Sequence, residues 1–413
     1  HQIRYTYNEN GNLSKVSYPT TKDGIQSLSY IYDENGWLQE IEGELHSKGQ
    51  TTEKVLRSYT YDTFGRLVKT VTTDYKKNDQ TKTITYTYDN VGNRLKEDDG
   101  TTTISYTYNG LDQLKTSTKE KGTAVEEVRQ YDYDMNGNQT DVKNTKTGEN
   151  QTYVYDAENR LSQVSVTKDG KTAVIQQNIY NGEGQRIQKI DGDETINYYY
   201  QDGVAAYTTD ADGNQNSQNL IGTEGNVLAT ERFKGDDTQY YLYNEDIQGS
   251  TTSLVKEDGS ADATYQYTDF GETIIHGDDQ AKNEVCYTGG IYDQSTGLYY
   301  LNARYYNPED GRFVTEDTYR GETAKPETGH LYAYCANNPV NYVDPSGHYA
   351  VALYTLVKIV AGGVVFYVSY STWKRRRIKT RYATRILNEK YGKGNWGKGP
   401  GSEYSRIIKY HRK

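Results

Sequence analysis

A short tyrosine motif recurs along the first half of the chain and constrains the fold more than any other feature. It reads YTYNENGNL from Tyr5, YIYDENGWL from Tyr30, YTYDTFGRL from Tyr59 and YTYDNVGNRL from Tyr86, and four further copies follow. The second tyrosines of the eight copies are 20 to 29 residues apart and are Tyr7, Tyr32, Tyr61, Tyr88, Tyr108, Tyr133, Tyr155 and Tyr180. A period of this length indicates a repeat architecture, in which each unit buries its apolar face against its neighbours.

Each copy has the residue pattern of a β-hairpin. The two rings of a Tyr-x-Tyr triplet point to one face of a strand, because successive side chains of a strand alternate. An Asp or Asn follows and then, after two further residues, usually a Gly; this pattern predicts a turn, because Asx side chains cap turns and Gly accepts positive φ. A second short strand begins at an apolar residue, as at Leu67. A lone hairpin is marginal in water, so the repeats predict antiparallel hairpins in one continuous curved sheet over residues 1–270.

The composition agrees with a core built from tyrosine. The chain has 44 Tyr but only 5 Phe and 1 Met, and its hydrophobic fraction is 34%. Tyrosine favours strands, and it can bury its ring while its hydroxyl reaches water or a hydrogen-bond partner. We therefore expect tyrosine to supply much of the packing, and carbohydrate binding by exposed rings is the alternative role.

These repeats resemble the YD repeat of RHS proteins, of the C components of insecticidal toxin complexes and of teneurins. The resemblance covers roughly residues 1–270 and rests on all eight copies. It implies a mainly β fold, in which YD-repeat hairpins form a continuous spiralling sheet that is part of a hollow shell. The repeats look too few for a whole shell and the chain opens inside a repeat, so we expect more shell upstream.

Residues 271–348 change character and resemble the RHS-associated core domain. The stretches GLYYLNARYYNPEDGRF, from Gly297, and NNPVNYVDPSG, from Asn337, carry this resemblance. It implies a plug that closes one end of the shell. In many members of the family this segment also cuts the chain just after its DPxG element and leaves the C-terminal part inside the shell.

The resemblance also names candidate residues for self-cleavage. The arginine of the ARYY motif is Arg304, the aspartate after GRF is Asp317 and the aspartate of DPxG is Asp344, and the scissile bond would be His348–Tyr349. Two carboxyls that are forced together cannot both ionise, so one holds a proton while the other activates water, as in aspartic proteases. The arginine would hold a carboxylate in place or polarise the scissile carbonyl.

The same residues also have a structural interpretation. The DPSG element, residues 344–347, has the signature of a type I turn, and Arg304 could simply pair with a carboxylate in a tight core. The residues around Asp317 and the histidine at 348 depart from the usual family text, which has proline beside the aspartate and Leu, Phe or Trp before the cut. Self-cleavage and a purely structural plug both stay open at this point.

Charge separates the end of the chain from the rest. Residues 349–413, which we call the passenger, carry 15 Lys and Arg against 2 acidic residues, whereas the whole chain has a net charge of −10. Residues 349–373 are largely apolar, are interrupted by Lys358 and precede four consecutive basic residues. They predict an apolar helix that either inserts into a membrane or is buried inside the shell or the passenger. Residues 374–413 form a basic tail.

The basic tail suits a phosphate backbone, because its Lys and Arg residues are interspersed with tyrosines and Trp396. Glu403, Arg406, Lys409 and His411 would suffice for acid–base cleavage of RNA. His411 also falls at helical spacing from nearby apolar residues, so the alternative is a packing role. The passenger is therefore expected to act on nucleic acid or on a membrane, or to be inert.

Other kinds of site have little support in the sequence. Cys286 and Cys335 are too few for a disulfide framework, so we expect free or buried thiols. The six histidines lie at no metal-ligand spacing. The sequence therefore predicts no metal site and no cofactor.

The leading hypothesis for function is a polymorphic toxin that is secreted or borne on a bacterial cell surface, whose shell encloses and releases a small basic toxin. Such toxins usually travel with an immunity protein, so a cognate immunity protein and a nucleic acid or membrane target are the expected partners. The alternative is a wall-associated or cell-surface adhesion protein with a carbohydrate-binding shell and an inert tail.

Overall fold

One long antiparallel sheet dominates the protein. The computed structural model describes residues 4–18, 24–47, 49–222, 225–235, 237–321 and 326–352. Within these residues 24 strands form the sheet, and each strand pairs with the strand that follows it in the chain. The predicted mainly β fold of consecutive hairpins in a continuous sheet is confirmed.

The strands of this sheet are short and evenly spaced along the chain. The first twelve are β1 (Arg4–Tyr7), β2 (Leu13–Ser17), β3 (Gly24–Tyr32), β4 (Leu38–Ser47), β5 (Gln50–Tyr61), β6 (Leu67–Asp74), β7 (Gln80–Tyr88), β8 (Arg94–Asp98), β9 (Thr102–Tyr108), β10 (Leu114–Lys121), β11 (Ala124–Tyr133) and β12 (Gln139–Asn144). The next twelve are β13 (Asn150–Tyr155), β14 (Leu161–Lys168), β15 (Lys171–Tyr180), β16 (Arg186–Asp191), β17 (Glu194–Gln201), β18 (Val204–Thr209), β19 (Gln215–Ile221), β20 (Val227–Lys234), β21 (Asp237–Glu245), β22 (Thr251–Val255), β23 (Ala261–Tyr267) and β24 (Thr273–Gly277).

The residues that follow the sheet hold short elements. A four-stranded sheet consists of β25 (Ile291–Asp293), β26 (Leu298–Leu301), β27 (Arg304–Asn307) and β28 (Arg312–Phe313), and a final pair consists of β29 (Tyr342–Val343) and β30 (Val351–Ala352). Among the described residues the helices are single 3₁₀ turns, at Tyr75–Lys77, Tyr287–Gly289, Pro326–Gly329 and Cys335–Asn337.

The turn of each tyrosine hairpin is closed by the Asp or Asn that follows the second tyrosine. In the third copy the side chain of Asp62 accepts the amide hydrogen of Phe64 at 2.9 Å. Gly65 adopts a φ of +82° and donates its amide hydrogen to the backbone carbonyl of Asp62 at 3.0 Å. Two copies lack this Gly, and there Asp112 and Asn159 adopt the positive φ, which these residue types tolerate.

The two tyrosines of a hairpin have different roles. The first is buried in the second to the seventh copies, as Tyr59 and Tyr86 are, whereas Tyr5 of the first copy is 58% exposed. The hydroxyl of the second donates to the carbonyl oxygen of a residue that begins a β-strand of an earlier hairpin. These donor–acceptor pairs, 2.6 to 2.8 Å apart, are Tyr32 with Leu13, Tyr61 with Leu38, Tyr88 with Leu67, Tyr108 with Arg94, Tyr155 with Gln139 and Tyr180 with Leu161. Phenylalanine lacks this donor, which explains the preference for tyrosine in the repeat.

We expect Tyr61→Phe to lower the free energy of unfolding by about 1 kcal/mol. The substitution keeps the ring and removes the hydroxyl that donates to the carbonyl oxygen of Leu38 at 2.6 Å. Tyr199→Phe, at an exposed ring, is the control and should leave the stability unchanged. Urea unfolding followed by tryptophan fluorescence measures both variants, and equal stabilities of Tyr61→Phe and the unchanged protein would contradict this role of the hydroxyl.

Residues 271–348, which we call the core segment, contact hairpins along most of the sheet. The hydrogen-bonded or ion-paired partners are Asn341 with Leu38, Asn337 with Gly92, Arg312 with Asp112, Tyr332 with Gly137 and Asp293 with Arg186. These partners range from the second to the eighth copy of the repeat, so the sheet bends around the core segment. Buried rings of both parts share the same clusters, as Tyr153 of β13 does with Tyr300 and Tyr305.

Candidate functional site

Two short loops of the core segment dock against each other and form the framework of the site. One is the tight turn between β26 and β27, at Asn302 and Ala303. The other is the DPSG element, residues 344–347. The side-chain amide of Asn302 donates to the carbonyl oxygen of Pro345 at 2.8 Å, and the backbone amide of Ala303 donates to that of Ser346 at 3.2 Å. The last residues of the core segment are thereby fixed against the ARYY motif.

Gly347 lets the two loops approach this closely. Its φ is +72°, and a Cβ placed on it would lie 2.5 Å from the carbonyl oxygen of Leu301 and 2.9 Å from the backbone nitrogen of Arg304. Backbone atoms cannot move aside as the end of a flexible side chain can. The glycine of the DPSG element is therefore required by both its conformation and its surroundings.

Arg304 begins β27 and is buried at the centre of the site. Its guanidinium carbon lies 3.5 Å from the centroid of the Phe313 ring. Its Nε donates to the carbonyl oxygen of Gly347, its Nη1 donates to that of Leu331 at 3.0 Å, and its Nη2 pairs with Oδ2 of Asp317 at 2.6 Å. Burial lowers the pKa of Arg304 to about 10, although the neighbouring carboxylates act in the opposite direction. The guanidinium therefore still carries its charge at neutral pH.

Asp344 is buried beside this arginine. Its Oδ1 accepts hydrogen bonds from the amides of Gly347 and His348, at 2.8 and 3.1 Å, and from the hydroxyl of Ser346 at 3.1 Å. Its Oδ2 lies 3.7 Å from Nη2 of Arg304. Burial raises the pKa of Asp344, and Arg304 and these hydrogen bonds offset only part of the rise. Asp344 therefore takes up a proton at a higher pH than an exposed aspartate does.

Asp317 completes the group. Besides the ion pair of its Oδ2 with Arg304, its Oδ1 accepts the amide hydrogen of Tyr319 at 2.9 Å and lies 3.0 Å from Nδ1 of His348. The structure thus brings the three sequence-predicted residues Arg304, Asp317 and Asp344 into contact. Their role in cleavage stays a prediction.

The peptide bond between Gly347 and His348 is held at both ends. Its carbonyl oxygen accepts a hydrogen bond from Arg304, and its amide hydrogen is donated to Asp344. The predicted scissile bond, His348–Tyr349, is the next one along the chain. Tyr349 is 59% exposed, so the residue after that bond is open to water.

The repeat and the core segment together can now be assigned to a family. A family model described as teneurin YD-shell matches residues 1–340. The chain belongs to the teneurin YD-shell family. The resemblance to YD-repeat proteins that the repeats indicated is therefore confirmed.

Relatives of this YD shell include large bacterial proteins. The tRNA3(Ser)-specific nuclease WapA of Bacillus spizizenii is 31% identical over 320 residues, which are 76% of this chain and 12% of that protein. The toxin subunit YenC2 of Yersinia entomophaga is 30% identical over 193 residues, which are 41% of this chain and 19% of that protein. A solved structure, the Tc holotoxin pore of Photorhabdus luminescens, aligns with 84% of this chain and 21% of its own, at 18% identity and a TM-score of 0.40. This chain thus spans a small fraction of the length of each of these three proteins.

Among the repeats, Arg94 and Arg186 are buried arginines that the sequence patterns did not indicate. In several hairpins the fifth residue after the Asp or Asn of the turn is a buried leucine, such as Leu161, but in two hairpins it is Arg94 or Arg186. Nη1 of Arg186 pairs with Asp293 of the core segment, and Nζ of Lys189 lies 3.2 Å from the same carboxylate. Burial raises the pKa of Asp293, but the two cations outweigh it and hold the pKa below its ordinary value. An arginine at a position where leucine is expected was the signal that could have found this anchor.

Glu272, at the start of the core segment, makes the stability of the YD shell depend on pH. Burial, and then the charges of Glu309 and Glu97, raise the pKa of Glu272 to about 7. A carboxyl whose pKa is higher in the folded protein than in the unfolded chain stabilises the fold while it is protonated, and this contribution is lost as the pH rises through 7. We expect Glu272→Gln to raise the free energy of unfolding by about 2 kcal/mol at pH 8 and by much less at pH 5. Urea unfolding at the two pH values measures this, and an equal effect at both would contradict it.

The passenger lies almost entirely outside the described residues. Its residues 349–352 are described, and Val351–Ala352 form β30, which pairs with β29. The predicted helix over residues 349–373 therefore does not begin at 349, because the chain first turns back at the DPSG element to form this pair. The remainder of that stretch, and the candidate residues Glu403, Arg406, Lys409 and His411, lie outside the described residues.

Three further findings concern the cysteines, membrane spans and metal sites. Cys286 and Cys335 are free and buried, as the sequence predicts. In the part of the chain that the structure describes, no helix is long and apolar enough to cross a membrane. In that same part, no His, Cys, Asp or Glu side chains come together in groups that could hold a metal ion.

Proposed function

We propose that the chain is part of a secreted or surface-associated polymorphic toxin. The YD shell carries the passenger, and the core segment cuts the chain between His348 and Tyr349. The observation that carries this proposal is the contact of Arg304 with Asp317 and Asp344 beside the bond to be cut. The relatives that are named as a nuclease and as a toxin subunit support the toxin part of the proposal.

The proposed cleavage is a hydrolysis by paired carboxyls. Asp317, held by Arg304, is the charged carboxylate that takes a proton from the attacking water. Asp344, whose pKa burial raises, donates a proton to the carbonyl oxygen of His348. The carbon–nitrogen bond then breaks, the proton taken by Asp317 passes to the departing nitrogen, and one of the two hydroxyl groups now on the carbon returns its proton to Asp344. The products are a carboxylate at His348 and a free amine at Tyr349.

The passenger is the part that we propose to act on a target cell. Its 15 basic and 2 acidic residues favour a polyanionic partner, and the charge extends well beyond the short run that follows the apolar stretch. The relative WapA is named as a tRNA-specific nuclease. We therefore assign RNA as the target, Glu403, Arg406, Lys409 and His411 as the residues that act on it, and a cognate immunity protein as the partner that protects the producing cell.

We expect residues 349–413, produced alone in a bacterial cytoplasm, to stop growth and to degrade RNA, and we expect the product of the neighbouring gene to restore growth. His411→Ala should slow RNA cleavage about a hundredfold, because it removes an acid–base group, while salt-dependent RNA binding persists. Lys413→Ala is the control, since it removes a charge and no acid–base group. Leakage of anionic vesicles caused by residues 349–373 alone would instead indicate a membrane target, and no activity in any assay would favour a surface protein with an inert tail.

A further inference from the structure

His348, the residue before the proposed cut, makes three contacts with the proposed catalytic group. Its amide hydrogen is donated to Oδ1 of Asp344 at 3.1 Å. The carbonyl oxygen that precedes it accepts a hydrogen bond from Nε of Arg304. The Nδ1 of its imidazole lies 3.0 Å from Oδ1 of Asp317. Each of the three proposed catalytic residues therefore holds a different part of this residue or of its peptide bond.

We propose that His348 is a positioning residue for the self-cleavage, and that its hydrogen bond from Nδ1 to Asp317 fixes the carbonyl group that water attacks. The inference rests on the proposed cleavage and adds which kind of side chain that reaction prefers before the cut. In this chain, which has His348 where the family usually has Leu, Phe or Trp, the position before the cut favours a side chain that donates a hydrogen bond from its δ position.

The imidazole contact supplies a restraint that the backbone contacts alone do not. The bonds to Asp344 and Arg304 fix the peptide unit on the N-terminal side of His348. The carbonyl group to be attacked lies on the other side of the same Cα and can still rotate relative to that unit. A side chain anchored to Asp317 fixes the Cα at a second point and so reduces this freedom. A reacting group held in place reacts faster because less rotational entropy is lost in the transition state.

Asp317 also depends on this contact. Its carboxylate is buried, and Arg304 occupies Oδ2. Oδ1 accepts from the Tyr319 amide and from His348. A side chain without a donor, such as leucine, would remove one of the two donors to Oδ1 and leave the carboxylate less firmly oriented toward the bond to be cut. Both the charged imidazole and the neutral tautomer that carries a hydrogen on Nδ1 can donate, so the contact does not require the imidazole to be charged.

The fold of the DPSG element does not need the imidazole. The element is closed by the bonds that Gly347 and Ser346 donate to Asp344, and it is docked on Asn302 and Ala303. The imidazole itself is 37% exposed. Its removal is therefore expected to change the rate of cleavage and to leave the stability of the fold unchanged, and this difference separates positioning from a merely structural role.

The test follows cleavage of the complete protein during cell-free synthesis, for the unchanged protein, His348→Leu and His348→Asn. Asparagine carries its amide nitrogen where histidine carries Nδ1, so it restores the donor without an imidazole. We expect His348→Leu to be cut roughly tenfold more slowly or worse, and His348→Asn to be cut within about threefold of the unchanged rate. His276→Leu, at an exposed histidine of β24, is the control and should be cut at the unchanged rate.

Two results would overturn the inference. One is cutting of His348→Leu at the unchanged rate or faster, and the other is an asparagine variant as slow as the leucine variant. Thermal unfolding of the same substitutions in an uncut Asp344→Asn background should give equal Tm values, and a lower Tm for His348→Leu would mean a structural role instead. If the unchanged protein is never cut, the proposed function is refuted together with this inference. If Asp344→Asn blocks cutting but His348→Leu does not slow it, only this inference is refuted.

Discussion

The complete protein carrying Asp344→Asn should run as one uncut chain, whereas the unchanged protein should part into two pieces near His348. Asparagine keeps an oxygen that can accept the amide hydrogens of Gly347 and His348, so the loop should keep its shape. It cannot hold and pass on a proton, as a carboxyl with a raised pKa can. The loss of a proton-transferring group costs on the order of a hundredfold to ten-thousandfold in rate, so we expect no cut fragment on a denaturing gel.

Glu316→Gln is the matched control for this substitution. Glu316 directly precedes Asp317 in the chain, but its carboxylate pairs with the exposed Arg320 at 3.1 Å. Its replacement removes a neighbouring negative charge and leaves Arg304, Asp317 and Asp344 intact, so the chain should still be cut. An Asp344→Asn protein that is cut as fast as the Glu316→Gln protein would refute the paired-carboxyl mechanism.

Arg186→Leu should lower the free energy of unfolding of the YD shell by about 3 kcal/mol. Leucine fits the position, because Leu161 occupies the equivalent place in the preceding hairpin and is also buried. The loss arises at Asp293, which is completely buried and would keep only Lys189 as a cationic partner. Urea unfolding at pH 7 gives the value, since at this pH the carboxylate is charged in the unchanged protein.

Arg160→Leu is the control for the buried anchor. The guanidinium of Arg160 is 24% exposed and pairs with Asp156 in its own turn at 2.7 Å. A partly exposed pair of this kind contributes about 1 kcal/mol or less. Adding Asp293→Asn to Arg186→Leu should recover part of the loss, because the unpaired buried charge is removed. Equal losses from Arg186→Leu and Arg160→Leu would contradict the role assigned to Asp293.

The hairpins were predictable because their local chemistry determines their structure. The Tyr-x-Tyr alternation, the Asx residue and the Gly at positive φ all belong to one short stretch of chain, as at Asp62 and Gly65. Later hairpins vary this pattern. Thr268 replaces the Asx residue and accepts the amide hydrogen of Glu272 through its hydroxyl at 3.0 Å, and Asp202 and Gly203 form a tighter turn at positive φ. The predicted sheet over residues 1–270 includes the hairpin at Asp202, whereas β24 (Thr273–Gly277) extends the sheet beyond the predicted end.

For the candidate site, the sequence predicted which residues belong to it but not how they are arranged. Nothing in the spacing of Arg304, Asp317 and Asp344 indicates that they meet, and the expectation came from the resemblance to the core domain. Their contact depends on the docking of the DPSG element against the β26–β27 turn, where Gly347 meets the backbone at Leu301. Contacts between residues far apart in the chain are set by tertiary packing, which a local pattern does not contain. The buried Arg186 was missed for the same reason, since its partner Asp293 lies beyond the repeats.

Intact-mass spectrometry of the complete protein tests the central claim most directly. The proposed function predicts a C-terminal fragment whose first residue is Tyr349, together with a larger fragment that ends at His348. Asp344→Asn should give one mass, that of the whole chain. A single intact mass for the unchanged protein, or a fragment that begins at another residue, would contradict the account.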